Sequence, residues 1–314
     1  MTDKQYPGIT VSLPLFFNSD ESIDFKTLTR YIDDLSSQRY ISSVYSMAYN
    51  TRYKMLSDTE LLDLNIKILK QTKQNNMSCY VGHPYIFNKE TLVTYLKEIS
   101  RYTPNGISML YPERYFDIDK PILDFLKIPE KFGLKIVLHE MKLVSGFTGK
   151  LINWPEHLLR EVIQLDCLIG VKEDSKDDYI TKIVLEECQK NNVACILAGG
   201  GKDRALKFIN KGLETWLNGS TMFCPKAIDT IYTAVMNNQT DVIEYYLEKI
   251  EKPFFNMVVD KYGWHISHKA ALEFFGYGKR YERFPHAYLP NSEFVQLNDI
   301  FNDIKIALNH LTNE

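Results

Sequence analysis

Lys172 closes the apolar run Cys167-Leu168-Ile169-Gly170-Val171 and is followed by Glu173, Asp174 and Ser175. A lysine at the end of a buried strand is partly desolvated, which disfavours the ammonium and lowers its pKa. The neutral amine can attack a ketone to form an imine, an electron sink for making or breaking a C–C bond. The same position also suits a lysine that snorkels past the strand end, or one paired with Glu173 or Asp174. Spacing alone leaves these open. His139 ends a second apolar run, Lys135–His139. An imidazole titrates near neutral pH and could shuttle protons there, or it could be a hydrogen-bonded member of a polar rim. His83, in Gly82-His83-Pro84, is read as a turn residue.

These residues need elements to hold them. Eight short apolar or β-branched runs read as strands: Ile9–Leu13, Ser42–Ser46, Ser78–Gly82, Gly106–Leu110, Lys135–His139, Leu168–Lys172, Ala194–Ala198 and Thr215–Asn218. Between them lie amphipathic stretches: Phe25–Ser37, Asp58–Thr72, Lys89–Arg101, Pro121–Phe132, Pro155–Gln164, Asp178–Asn191 and Lys202–Lys211. Ser57-Asp58-Thr59-Glu60 is a capping box, and Gly133 and Gly212 suit left-handed helix ends. Evenly spaced βα units, eight in number, predict a (β/α)8 TIM barrel over an open doubly wound sheet. Beyond Cys224 the strand signal stops. Ala227–Met236, Asp241–Lys252, Lys261–Phe275 and Ser292–Leu311 read as helices. We therefore expect a barrel over residues 1–232 and a C-terminal helical extension over 233–314.

In such a barrel, catalytic groups come from the C-terminal ends of the strands and the loops after them. Those ends here carry Tyr49-Asn50-Thr51-Arg52, His83, Tyr111, His139-Glu140, Lys172-Glu173-Asp174, Gly199-Gly200-Gly201-Lys202 and Asn218-Gly219-Ser220. The glycine run before a helix also permits a phosphate-binding turn, with Lys202 adding charge, although a lone glycine run is a weak signal.

The segment Leu168-Ile169-Gly170-Val171-Lys172-Glu173-Asp174-Ser175 resembles the Schiff-base strand of the dihydrodipicolinate synthase / N-acetylneuraminate lyase family of pyruvate-dependent barrel enzymes. Further segments resemble that family in order and spacing: Ser22-Ile23-Asp24-Phe25, Met55-Leu56-Ser57-Asp58-Thr59-Glu60, Asn218-Gly219-Ser220 and His268-Lys269-Ala270-Ala271-Leu272. The resemblance covers nearly the whole chain. It implies that Lys172 forms the imine, that Tyr111 lies near the site and that Gly199, Gly200 and Asn218 shape the pocket. It also implies a homotetramer or homodimer.

The chain departs from the family at defined places. Where the family has a Gly-Thr-Thr-Gly-Glu turn cradling the keto-acid carboxylate, this chain has Ala48-Tyr49-Asn50-Thr51-Arg52. Arg52 or Asn50 could still bind a carboxylate, Arg52 by a bidentate pair. The family's strand 5 tyrosine is matched by His139, and the stretch after it, Met141 to Gly146, has no arginine. These losses argue against ordinary dihydrodipicolinate synthase activity. The expectation is a class I aldolase or lyase acting on pyruvate or a related 2-keto acid, possibly a sugar acid, with Lys172 and His139 catalytic. Two alternatives are a keto-sugar-acid dehydratase and a ligand-binding protein without turnover. No metal or organic cofactor is required, because the imine itself is the electron sink.

The bulk properties fit this reading. The 314 residues are 45% hydrophobic and 25% charged, with a formal net charge of -3 and a pI near 6.2. No basic stripe suggests a nucleic-acid partner, and no apolar stretch approaches the ~20 residues of a membrane span. The five scattered cysteines form no CxxC pair. A cytoplasmic protein with reduced thiols is expected.

Overall fold

A computed structural model of the chain describes residues 8–46, 53–84, 88–112, 117–140, 154–198, 201–219 and 221–313. Eight parallel strands close into a barrel in sequence order, with β1 pairing β8. They are β1 (Ile9–Ser12), β2 (Ile41–Tyr45), β3 (Ser78–Val81), β4 (Gly106–Met109), β5 (Ile136–Glu140), β6 (Leu168–Glu173), β7 (Ala194–Leu197) and β8 (Thr215–Asn218). Each expected strand is present, displaced at its ends by at most one residue. The fold is therefore the expected (β/α)8 TIM barrel with C-terminal helices.

The helices that follow the strands are α1 (Phe25–Ser36), α2 (Asp58–Gln74), α3 (Lys89–Ile99), α4 (Lys120–Leu126), α5 (Glu156–Ile163), α6 (Asp178–Lys190), α7 (Gly201–Ile209) and α8 (Pro225–Met236). Helix α1 buries Leu28, Tyr31, Ile32 and Leu35 against the strands, the stripe its 3.6-residue period dictates. The capping box at the start of α2 is formed: Ser57 N–H donates to Glu60 Oε2 at 2.9 Å, and Glu60 N–H donates to Ser57 Oγ at 3.2 Å. Gly133 ends its helical turn in the left-handed conformation, at φ 66°.

Three helical expectations change. The stretch 121–132 is two pieces, α4 and a 3-10 turn Pro129–Phe132. Pro129 supplies no N–H to continue the helical hydrogen-bond ladder, so the first piece stops before it. The second is the helix expected to end at Lys252. Helical backbone instead runs over residues 240–262, through Pro253, with π turns at Leu247–Glu251 and Phe255–Val259. A widened turn before a proline relieves the clash of its ring with the preceding turn. Gly263 then breaks the chain at φ 78°, and a separate helix spans Trp264–Phe274. The third expectation, a helix over 292–311, is divided into Asn291–Gln296 and Asn298–Thr312. The expected barrel boundary at residue 232 falls inside α8, which continues to Met236.

The extension is fastened to the barrel's C-terminal face. Arg283 donates to the carbonyl oxygens of Glu21 (2.8 Å) and Met55 (3.1 Å) and to Glu60 Oε1 (2.9 Å). Its guanidinium lies 5.1 Å from the Phe17 ring centroid. The buried Lys269 Nζ sits 5.1 Å from the same ring and donates to Tyr281 O at 3.2 Å. One extension segment thus pins both the loop after β1 and the start of α2.

Candidate active site

Strand alternation decides what faces the barrel interior. On β6, Gly170 and Lys172 share one face, while Val171 and Glu173 share the other. Lys172 pairs with His139 on β5 and with Ile196 on β7. Parallel neighbours in register point the same way, so the lysine and the imidazole rise side by side at the C-terminal mouth of the barrel. Lys172 Nζ lies 2.6 Å from His139 Nε2. Asp174, just past the strand end, places Oδ2 3.5 Å from Lys172 Nζ and 3.6 Å from His139 Nε2. Both partners are buried, Lys172 at 4% and His139 at 3% exposure.

Burial sets the electrostatics. Loss of hydration pulls the Lys172 amine below the ordinary lysine range; Asp174 opposes this and Lys176 reinforces it. His139 is lowered to about 4, first by burial and then by the lysine charge beside it. Burial would raise Asp174, but the Lys172 charge, helped by His139 and Lys176, holds it well below the carboxylate range. An ammonium at Nζ donates to Nε2 and leaves the imidazole proton on Nδ1; a neutral amine accommodates either ring tautomer. His139 Nδ1 is buried and has no hydrogen-bond partner among the described residues.

A third group completes this interior. Tyr45, fully buried on β2, reaches across the barrel so that its hydroxyl hydrogen-bonds Ser108 Oγ on β4. Its ring centroid lies 5.4 Å from Lys172 Nζ and 6.3 Å from the His139 ring, edge to face with the latter. Deeper in the barrel, Thr10 and Ser43 join hydroxyls at 2.8 Å. Barrel interiors are usually filled by branched aliphatic side chains. Hydroxyls on the inward parity of β1, β2 and β4 make this interior polar, but neither Tyr45 nor Ser108 stands out by motif.

The outer wall behind Lys172 is also polar. Glu173, on the opposite parity, ion-pairs with buried Arg204 of α7 and accepts from Thr181 Oγ1 of α6 at 2.8 Å and from Ser175 N at 2.9 Å. Arg204 Nη1 donates to Ala198 O, 2.5 Å away, at the end of β7. The ends of β2 and β3 are tied in the same manner. Ser46 Oγ donates to Asn65 Oδ1 at 2.7 Å, and the Tyr95 hydroxyl donates to Gly82 O at 2.7 Å.

The sequence candidates fall into groups. Lys172 and His139 are brought into contact. Tyr49, Asn50, Thr51 and Arg52, the expected carboxylate-binding stretch, lie outside the described residues, as do Gly199 and Gly200. Tyr111 sits after β4 in an aromatic cluster, 5.7 Å from Phe125 and 6.4 Å from Trp154, centroid to centroid. Asn218, fully buried, pairs with Val11. It shares the parity of Trp216, which packs on Tyr232 of α8, whereas its neighbour Leu217 pairs with inward-facing Thr10. His83 is structural in geometry: Nδ1 lies 2.7 Å from Pro84 O, and Nε2 accepts from Leu110 N at 3.1 Å. Both ring nitrogens are thereby occupied, and burial lowers it to about 4.

No group of three His, Cys, Asp or Glu side chains among the described residues is gathered to hold a metal. No described helix is long and apolar enough to cross a membrane. The five cysteines are free thiols, and burial pushes Cys79 up to about 12.

Comparison with known proteins supports the architecture. The fold is that of dihydrodipicolinate synthases. The synthase from Bacteroides thetaiotaomicron matches with a TM-score of 0.81 at 14% identity, over 97% of this chain and 100% of its own. The 4-hydroxy-tetrahydrodipicolinate synthase from Methylacidiphilum fumariolicum SolV gives 0.78 at 14%, over 98% of each chain. A monomeric dihydrodipicolinate synthase variant gives 0.77 at 13%, over 96% and 97%. No protein-family model matches the sequence, and no curated protein matches it.

Proposed function

We propose that this chain is a divergent Schiff-base enzyme of the dihydrodipicolinate synthase type, a carbon–carbon lyase or aldolase acting on pyruvate or a related 2-keto acid. The observation that carries this reading is the Lys172 amine. It is buried at the barrel mouth, depressed in basicity, and 2.6 Å from an imidazole nitrogen.

In the neutral form the amine adds to the keto carbon, forming a carbinolamine. Its hydroxyl leaves as water once protonated, giving the iminium, with His139 accepting the proton the nitrogen sheds and returning one to the oxygen. Proton removal from the adjacent carbon then gives an enamine, the nucleophile of an aldol addition, and the reverse sequence cleaves. The first step requires free amine, so desolvation at Lys172 is functional and not merely tolerated. Asn50, Thr51 and Arg52 are the chain's candidates to hold the substrate carboxylate.

Borohydride trapping tests this. The protein is incubated with pyruvate and with longer 2-keto acids, reduced, and weighed intact. The expected result is one adduct, lost in Lys172→Met; absence of an adduct with every keto acid tried removes the proposal. Turnover of a trapped acid separates the enzyme from a binding protein, and the product separates aldol cleavage from dehydration.

A further inference from the structure

His139 raises a question of support. An imidazole that works on a neighbouring amine is normally fixed by a hydrogen bond from its other nitrogen to a carboxylate or carbonyl. Here Nδ1 is buried without a hydrogen-bond partner among the described residues. Among the described residues its ring is oriented by contacts of another kind. Nε2 meets Lys172 and, more loosely, Asp174. The remaining described ring contact is the edge-to-face one with Tyr45. An edge-to-face aromatic pair prefers this geometry and stabilises it beyond area burial alone.

Tyr45 is itself held at both ends. Its backbone lies in β2, paired with Ser12 and Tyr80 on the neighbouring strands. Its hydroxyl is anchored on β4 by Ser108, which is fully buried. The ring thus spans the barrel interior beside the amine and occupies space that water would otherwise fill. We propose that Tyr45 is a positioning residue: its ring, anchored by Ser108, sets His139 against Lys172 and keeps the amine dry. The inference rests on the Schiff-base reading for its purpose, but its geometry stands apart from any substrate.

Among the described residues, the groups near the amine are Asp174 and Lys176 after β6, which enter its titration, with His139 on β5 and the Tyr45 ring on β2. Ile196, its partner on β7, is apolar. Removing the Tyr45 ring admits water, restores hydration to the ammonium, and leaves less free amine at a given pH. It also removes a cation–π contact, which acts in the opposite direction. At 5.4 Å from the centroid in a buried site we expect hydration to dominate.

The test is competitive acetylation of Lys172 across pH 6–10, read by peptide mass spectrometry against a reference amine, with no keto acid present. For Tyr45→Leu we expect about tenfold less Lys172 labelling, relative to the reference amine, near neutral pH. For Ser108→Ala and Tyr45→Phe, which keep the ring and lose the anchor, we expect smaller decreases of similar size. If Tyr45→Leu does not fold, Ser108→Ala alone decides, since it removes one oxygen and little volume. Wild-type labelling profiles in the folded variants overturn the proposal. So does a Tyr45→Phe profile as altered as that of Tyr45→Leu, because the phenol oxygen and not the ring would then be the acting group. Keto-acid trapping on wild type is scored separately. Failure to trap with an altered labelling profile removes the Schiff-base reading and leaves the positioning role. Trapping with unaltered profiles does the reverse.

Discussion

His139 and Lys172 occupy paired positions on adjacent parallel strands, and their nitrogen atoms meet at 2.6 Å. The lysine charge, added to burial, lowers the affinity of His139 for a proton. His139, at about 4, is neutral throughout the neutral range. It is thus available as an acceptor wherever Lys172 is available as a nucleophile. Replacing His139 with Gln keeps a polar side chain but removes the base. Loss of a positioned general base typically costs 10²–10⁴-fold. The expected outcome is that pyruvate remains trappable on Lys172, while exchange of its methyl protons for deuterium, followed by NMR, slows by about 100-fold or more. Equal exchange rates in the two proteins would remove His139 from proton transfer.

Asp174 provides a pH test with a defined sign. Its carboxylate raises the affinity of Lys172 for a proton, against the downward pull of burial. Asp174→Asn removes that charge, so the free amine appears at lower pH than in wild type. The trapping rate rises with pH in both proteins because the neutral amine is the nucleophile. The expected result is displacement of the whole profile towards acid in Asp174→Asn. An unmoved profile with a lower rate would show that Asp174 acts mainly by orienting the amine.

His83 predicts acid lability. Its folded value of about 4 lies below the 6.5 of an unperturbed imidazole, so the unfolded chain binds more protons between these limits. Stability is therefore fully present above pH 6.5 and is lost as pH falls towards 4. At about 1.4 kcal/mol per pH unit the contribution is roughly 3 kcal/mol. His83→Leu removes this pH dependence but leaves Leu110 N–H and Pro84 C=O unsatisfied, costing on the order of 1–3 kcal/mol each at neutral pH. Urea unfolding at pH 7 and pH 5 should show a less stable variant whose pH sensitivity is reduced.

Much of this was legible in residue order, for identifiable reasons. Strand existence follows from short β-branched runs between amphipathic ones, and all eight were found because each buries both faces. Lys172 could be read because it interrupts apolar periodicity near a strand end, and its contact with His139 follows from both residues lying one position before the ends of adjacent strands. Tyr45 was hidden, because a tyrosine inside an apolar run looks like packing and its partner Ser108 lies 63 residues away. Pairings of that separation depend on barrel closure and register, which no local pattern encodes. The helix through Pro253 is not legible locally because proline is normally a terminator, and the π turns of the folded chain accommodate it.

Glu173 and Arg204 form a buried pair on the outside of the wall that carries Lys172. Breaking such a pair from one side leaves a charge in the interior without compensation, which costs about 3–5 kcal/mol. Arg204→Met keeps much of the volume and removes the charge. The expected effect is a fall in Tm on the order of 5–15 °C. Double replacement with Glu173→Gln should recover part of the loss, because the stranded carboxylate is then gone. Additive losses in the double variant would show that the two side chains act independently.

Arg283 links the extension to the site without touching the lysine. Its hydrogen bonds to Glu21 O, Met55 O and Glu60 hold the loop after β1 and the start of α2, just past the Tyr49 to Arg52 stretch. Its guanidinium also holds Glu60 below the usual carboxylate range, chiefly by hydrogen bonding. A lysine can replace the charge but not the forked set of donors. Arg283→Lys should therefore behave more like Arg283→Ala than like wild type. If the stretch at 49–52 binds the carboxylate, both variants should need more keto acid for half-maximal trapping, by about tenfold, while the extent at saturation and the labelling profile of Lys172 stay unchanged. A loss of saturating trapping instead would place the clamp's effect on the amine itself and not on the carboxylate subsite.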